Sequence, residues 1–231
     1  SYSTVTNPFY VEPIIPGQSP LPLLDGMAKQ ALAALPQAIS VELRHIRSDW
    51  IDRWLSNGAS LISIKQFDSR GSYLKTSGDY GEFESGLRNK TRQNTKRLHR
   101  KLLDLPGARE FVADKKEQML EMLDKFIDLE ASGWKGEKGT AIRDDPVQVD
   151  FYRTFVPRLA SLNACQWHII EAEGTPLGMQ LVLTGKDMFF TPKIAYNEQY
   201  SKLGPGKTCH WRTIGRAFEA HGIHQIDFLS D

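Results

Sequence analysis

The stretch Met188-Phe-Phe-Thr-Pro-Lys-Ile-Ala-Tyr196, followed by Asn197-Glu-Gln-Tyr-Ser-Lys-Leu203 and then Gly204-Pro-Gly-Lys-Thr208, decides how this chain is read. Residues 188–196 have the apolar and aromatic content of a strand. A helical pattern then runs from about Thr208 to His221, where Gly222 ends it. A strand feeding a glycine-bearing loop and a helix puts free backbone N–H groups, and the positive end of a helix dipole, at the strand's end. That arrangement suits an anion. Gly204 and Gly206 let the backbone come close to a ligand or take positive φ. Lys207 adds a point charge and Thr208 a hydroxyl, while Pro205 removes one N–H donor. The spacing G-x-x-x-x-G-K is absent, so this is not a Walker loop, and a G-P-G turn alone is ordinary punctuation. Its flanks decide what it is.

Outward from the loop, residues 165–172, 177–185 and 188–196 read as three strands. The turns at 173–176 and 186–187 make them an antiparallel meander. Residues 223–229 form one further strand. Pro192 cannot pair inside a central strand, so it marks an edge, a bulge or a point where strands part. The middle of the chain is helical. A long helix is expected from Phe83 to Leu103, with Leu87, Thr91, Asn94, Leu98 and Leu102 on one face. A second is capped by Asp114 with Glu117 three residues on, turns Met119, Met122, Phe126 and Leu129 inward, and stops at Gly133. A third opens at Asp145-Pro146 with Val147, Phe151, Phe155 and Leu159 inward, and Pro157 should kink or end it. The first third reads as a proline-rich arm (1–23), a helix (23–35), a strand (39–46), a short helix (50–58) and strands at 60–67 and 72–77.

With 231 residues, 40% of them hydrophobic and 25% charged, the chain has a core's worth of apolar side chains. Net charge is +1, so only a local patch could favour nucleic acid or an anionic surface. Apolar runs fall far short of the ~18 residues that span a bilayer, so no membrane insertion is expected. Two cysteines, Cys165 and Cys209, offer neither a disulfide framework nor metal-ligand spacing, and a reduced, cytoplasmic setting follows as the expectation. The six scattered histidines make no metal pair, and no G-x-S-x-G elbow occurs. Ser1 is not an initiator, and the sequence stops just after a strand. A longer native chain is therefore expected at both ends.

Two separate motifs carry a family resemblance. The run 188–207 followed by a helix and Ile226-Asp-Phe-Leu-Ser-Asp231, together with Gly133-Trp-Lys-Gly-Glu-Lys-Gly-Thr-Ala-Ile142 upstream, resembles the GNAT superfamily of acyltransferases, closest to its FemAB-like, CelD-like branch. The resemblance covers residues 81–231 well and residues 1–80 loosely. It implies a partial GNAT-like half followed by an acyltransferase domain lacking its last strands. The fold it implies is α/β, a largely antiparallel mixed sheet flanked by helices. The strand at 188–196 and the next one part to hold an acyl donor between them. It also implies that Leu203, Gly204, Gly206, Lys207 and Thr208 cradle the pyrophosphate of acetyl-coenzyme A or another acyl-coenzyme A. The segment departs from the family's Q/R-x-x-G-x-G/A pattern by beginning with Ser201, and aminoacyl-tRNA stays open as a second donor.

Amine attack on a thioester needs a proton acceptor, donors for the oxyanion and an acid for the leaving thiolate. Tyr196, Lys193 and Asp227 are the candidate catalytic residues, with Glu198 a further base or amine anchor. Strict alternation puts Lys193 on the opposite sheet face from Tyr196. Trp134, Lys135 and Gly136 are the candidate acceptor-binding residues, because an aromatic, a cation and glycines between two helices suit a substrate pocket. The acceptor is expected to be a small-molecule primary amine, on an amino sugar or amino acid of envelope or polysaccharide metabolism by the resemblance. The basic run from Arg88 to Lys101 favours a tRNA donor if it is more than a solvated face. A non-catalytic binding module that keeps the fold is the reading from another class. Gly206→Asp is expected to abolish coenzyme A binding without unfolding the chain.

Overall fold

The computed structural model describes residues 72–229 apart from Lys186, together with isolated positions at 26, 29, 30, 33, 52 and 56. Tyr73–Phe228 is one compact unit; residues 1–72 and 229–231 belong to another. The expected elements between 1 and 67 lie outside the described residues, except for those isolated positions, which are helical and fall within the expected helices 23–35 and 50–58. Within the first unit, β1 (Tyr73–Lys75) falls inside the expected 72–77 strand.

The helix expected over 83–103 is two helices, α1 (Tyr80–Gly86) and α2 (Asn89–Leu103). Leu87 and Arg88 are extended between them (ψ 152° and 127°). Asp79 Oδ1 caps α1 by accepting from Glu82 N at 2.9 Å. In α2 the buried side chains are Thr95, Leu98 and Leu102, while Thr91 is exposed. A strand that the sequence reading missed follows, β2 (Ala108–Ala113).

Helix α3 (Lys116–Ala131) starts after Lys115, not Asp114, and has no side-chain cap. Its expected inward residues Met119, Met122, Phe126 and Leu129 are all buried. Gly133 is extended (φ −106°) and is no left-handed cap; it opens the short helix α4 (Trp134–Glu137). After a 3₁₀ turn (Ile142–Asp144), α5 (Pro146–Ser161) is capped by Asp145, whose Oδ1 accepts from Val147 N at 2.9 Å. Its buried face is Tyr152, Val156, Leu159 and Ala160, one position round from the expected stripe, and Val147 is 76% exposed. Pro157 sits inside the helix without ending it.

The meander is β3 (Cys165–Ala172), β4 (Thr175–Thr184) and β5 (Met188–Tyr196). Residues Glu173 and Gly174, both at positive φ, join the first two strands in a two-residue hairpin loop. A second 3₁₀ turn (Glu198–Leu203) leads to α6 (Pro205–Glu219) and then β6 (Gln225–Asp227). The six strands are ordered β1-β6-β5-β4-β3-β2, and every pair is antiparallel except β5–β6. The fold is thus mixed α/β with a largely antiparallel sheet.

Side chains alternate between two helical layers. One sheet face turns Trp167 towards α3, where its ring lies 4.8 Å from Phe126 and its Nε1 donates to Met119 O at 3.2 Å. Such an aromatic pair adds about 1 kcal/mol beyond its buried area. The other face carries His168, Ile170, Gly178 and Gln180 towards α6, with Leu102 of α2 and Cys209 of α6 closing a small core over Ile170. Pro192 lies at a bulge: Leu181 pairs with Lys193 but Leu183 with Phe190, so Thr191 and Pro192 oppose Val182 alone. Pairing of β5 with β6 reaches only from Met188↔Gln225 to Phe190↔Asp227 among the described residues. Beyond Phe190 only β5 continues, because β6 ends at Asp227.

Candidate active site

Helix α6 begins three residues earlier than its sequence pattern suggests, at Pro205 rather than Thr208. Gly204 is its N-cap, in the left-handed region at φ 59°, ψ 48°, where a side chain would be strained. Pro205 takes the first helical position, which its fixed φ suits. The first helical hydrogen bond runs from Thr208 N to Gly204 O at 2.9 Å. The N–H groups of Gly206 and Lys207 precede that bond and point out of the helix end. Gly206, Lys207 and Thr208 thus belong to a helical first turn, not to a loop. Lys207 is exposed; Thr208 is fully buried and its Oγ1 has no hydrogen-bond partner among the described residues. Leu203 packs into the core over Ile170.

Two glycines let this turn settle on the sheet. A Cβ on Gly178 would lie 2.9 Å from Pro205 O, and one on Gly206 would lie 2.7 Å from Tyr196 Cδ1. Tyr196 pairs with Gly178 across β4–β5, so its ring lies against the first turn of α6. This corrects the expectation for Gly206→Asp, because any side chain at Gly206 collides with Tyr196. Even Gly206→Ala is expected to lower stability by about 1–3 kcal/mol. Urea unfolding checks this, and an unchanged midpoint would contradict the close approach.

Beyond Tyr196, the end of β5, the end of α3 and the start of α4 enclose a cavity of ≈ 30 Å³ lined by Glu130, Trp134, Lys135, Tyr196 and Glu198, among others. That is room for a water or two. Glu130 is 4% exposed. Its Oε2 accepts from Ile142 N at 2.9 Å, and its Oε1 accepts from Lys135 Nζ at 2.6 Å and lies 3.7 Å from Lys193 Nζ. Two ammonium groups therefore share one buried carboxylate. Lys193 also lies over the Tyr152 ring, 5.8 Å from its centroid. Burial pulls the Lys193 ammonium below its ordinary pKa; Glu130 opposes the shift and Lys135 adds to it. Burial pushes the Tyr152 hydroxyl up, with the Glu130 charge adding to the effect.

Of the residues singled out in the sequence, Trp134, Lys135 and Tyr196 share the cavity, and Lys193 reaches the same Glu130. Lys193 pairs with Leu181 and Tyr196 with Gly178, so the two stand on opposite faces, as alternation requires. Gly136 is held 1.9 Å (for a built Cβ) from Ala131 O, which leaves room for no side chain. Glu198 Oε1 accepts the N–H of Trp134 at 2.9 Å and so ties the start of α4 to the turn after β5. Asp227 is not brought to the cavity. It is buried on β6, between Tyr73 of β1 and Phe190 of β5. Glu130 was missed, although an acid one turn after Phe126 on an apolar face was a legible signal. Burial raises both thiols, Cys165 and Cys209, to about 12, which leaves neither poised as a nucleophile.

The acetyltransferase (GNAT) domain family matches residues 89–231, well over half of the chain. This chain belongs to the GNAT acetyltransferase family. The matched residues take in α2, the cavity and α6. No curated protein matches by sequence. Solved structures similar to the chain include these two. One is the C-terminal domain of a protein described as a lysylphosphatidylglycerol synthetase from Agrobacterium fabrum. It is 12% identical with a TM-score of 0.48, over 87% of this chain and 57% of that one. The other is a conserved protein of unknown function from Bacteroides thetaiotaomicron. It is 8% identical with a TM-score of 0.47, over 68% of this chain and 49% of that one. The chain thus spans about half the length of the solved chains it matches. No described helix is long and apolar enough to cross a membrane.

Proposed function

We propose that this GNAT domain transfers an acyl group from acyl-coenzyme A to a primary amine. The observation that carries this reading is the contact of Tyr196 with Gly206, which joins the N-terminal turn of α6 to the cavity at Glu130. The anion end of a donor has the free N–H groups of Gly206 and Lys207, the Lys207 side chain and the helix dipole to meet it. On the acceptor side, the carboxylates of Glu130 and Glu198 match the ammonium groups of Lys135 and Lys193, so the cavity holds carboxylates that an incoming amine can bond to. Tyr196, at the junction of the two halves, is the group to protonate the leaving thiolate.

A second reading, transfer from aminoacyl-tRNA, is favoured by one contact. A Cβ on Gly204 would lie 3.3 Å from Leu98 Cδ1, so the basic helix α2, with exposed Lys90, Arg97, Arg100 and Lys101, adjoins the cap of α6. One experiment separates the two. Acetyl-coenzyme A is expected to raise the melting temperature, and Lys207→Glu, an exposed site, to weaken that binding about tenfold or more. No thermal shift with acetyl-coenzyme A, alongside salt-sensitive tRNA binding, would overturn the first reading in favour of the second.

A further inference from the structure

Lys135 and Lys193 are unequal partners of Glu130. Lys135 Nζ donates to Oε1 at 2.6 Å, a charge-assisted hydrogen bond, whereas Lys193 Nζ is 3.7 Å from the same oxygen. Ile142 N donates to Oε2 at 2.9 Å, so each carboxylate oxygen has a donor without Lys193. Lys193 is nevertheless largely buried, with 25% of its side chain exposed, and the face of the Tyr152 ring replaces only part of its hydration. Holding an ammonium there without a full hydrogen bond is costly. A second cation at Glu130 is therefore redundant as long as Lys135 stays in place.

The two lysines also differ in what holds them. Lys193 belongs to β5, where it pairs with Leu181 of β4, and it stands outside the cavity lining. Lys135 lines the cavity and belongs to the four-residue helix α4, which is followed by Gly139 at φ 65°. Trp134 beside it is 47% exposed and forms part of the rim. The ammonium groups of Lys135 and of the exposed Lys138 lie 5.9 and 5.1 Å from the centre of that ring. Residues 134–138 thus bring two cations to the rim, against one acid, the exposed Glu137. Inside, Glu198 is fixed by the Trp134 N–H on one oxygen, which leaves the other for an amine.

We infer that the acceptor is an amine bearing an anionic group, and that Lys193 is the reserve counter-ion that frees Lys135 to bind it. This rests on the acyl-coenzyme A reading above. A cavity of ≈ 30 Å³ admits a group of about water size. The amine therefore enters beside Glu198 and its anionic group stays at the rim. Lys135 turns from Glu130 to that anion, with Lys138 beside it. Lys193 closes the gap of about 1 Å to a hydrogen bond with Glu130 Oε1, so the buried carboxylate never stands unpaired. Without Lys193 the same turn would strand Glu130. An amine lacking the anion gives Lys135 nothing to exchange for Glu130. A carboxylate or a phosphate supplies it equally, as in an amino acid or a phosphorylated amino sugar.

The test is a ¹⁵N NMR titration of the lysine ammonium groups in the full chain, with coenzyme A present because it has no acyl group to transfer. Lys135 and Lys193 are assigned by the signals lost in Lys135→Met and Lys193→Met. The probes are glycine against glycinamide, and glucosamine 6-phosphate against glucosamine. An anionic probe should shift Lys135 and Lys193 together and bind about tenfold or more tightly than its twin lacking the anion. A response to glycine identifies a carboxylate and a response to glucosamine 6-phosphate a phosphate; either supports the inference. Lys193→Met should remove that preference although Lys193 does not touch the probe, and Lys138→Met, at an exposed site, should reduce it. Equal binding of both twins, no response of Lys135 to either anionic probe, or a Lys135 shift with Lys193 unmoved would overturn the inference. A melting temperature still raised by acetyl-coenzyme A would then leave the donor reading standing. Absence of acetyl-coenzyme A binding would overturn both.

Discussion

Glu110→Ala is expected to lower the free energy of unfolding by about 3 kcal/mol, and the melting temperature by roughly 6–12 °C for a chain of this size. Glu110 projects from β2 with its side chain only 10% exposed. Its carboxylate accepts from Arg212 Nε at 2.9 and 3.1 Å and from Arg216 Nη2 at 2.5 Å, and it lies 2.7 Å from His99 Nε2. Burial on its own would raise its pKa. The hydrogen bonds from His99 and Arg212 and the charges of Arg216 and Arg212 hold it down to about 2. A carboxyl lowered from about 4.5 to about 2 contributes about 3 kcal/mol by linkage, in line with the cost of breaking a buried pair. Because the folded pKa is the lower one, this stability is fully present above about pH 4.5 and is lost as pH falls to about 2. Alanine leaves two half-buried guanidinium groups facing each other. Chemical denaturation at pH 7 measures the loss, and a change below 1 kcal/mol would show that Glu110 is not the link between β2, α2 and α6.

On the acid side of neutrality, stability is expected to fall by up to about 1.4 kcal/mol per pH unit for each histidine that must stay neutral in the fold. His168 is the main one. Burial first, with Arg216 and Arg212 adding to it and Glu110 opposing, lowers its pKa to about 3. The folded value lies below the ordinary 6.5, so between pH 6.5 and about 3 the unfolded chain binds a proton that the folded chain refuses. Stability is therefore lost as pH falls through that window. Between pH 6.5 and 5 the carboxylates are still ionised in both states, which isolates the histidines. His210, also lowered by burial, acts in the same sense. His168→Asn should reduce the slope by about 1.4 kcal/mol per unit, and a variant with the wild-type slope would contradict a neutral His168. The two sites share Arg212 and Arg216, so their effects should not add.

Much of the fold was legible where side-chain period and turn chemistry agree. The strand at 188–196 has the bounds its residues suggest, the Glu173-Gly174 turn joins its hairpin, and Asp145-Pro146 opens α5. Pro192 announced the bulge, since no central ladder takes a proline without one. The α5 stripe was misplaced by one position because a strict four-residue step drifts from the 3.6-residue turn. At the site, Tyr196, Lys135 and Trp134 were legible as residue types in a glycine-rich or strand-end setting. Their convergence was not, because Trp134 and Glu198 meet across 64 residues of sequence.

The sequence by itself determined the meander, the helix after it, the glycines at its start and the family to which these belong. All of these rest on neighbours within a few residues, whose φ/ψ preferences and period are written locally. Only the tertiary structure decided three things. Strand β2 was unreadable because one of its faces carries Glu110, a charge that no apolar alternation allows and that Arg212 and Arg216 make tolerable from over 100 positions away. Glu130 became a shared counter-ion only when α3 brought it beside Lys193 of β5. Gly206 proved to be fixed by the close approach of the Tyr196 ring. In each case the deciding energy is that of a buried charge or a steric contact between distant segments, and no local preference encodes it.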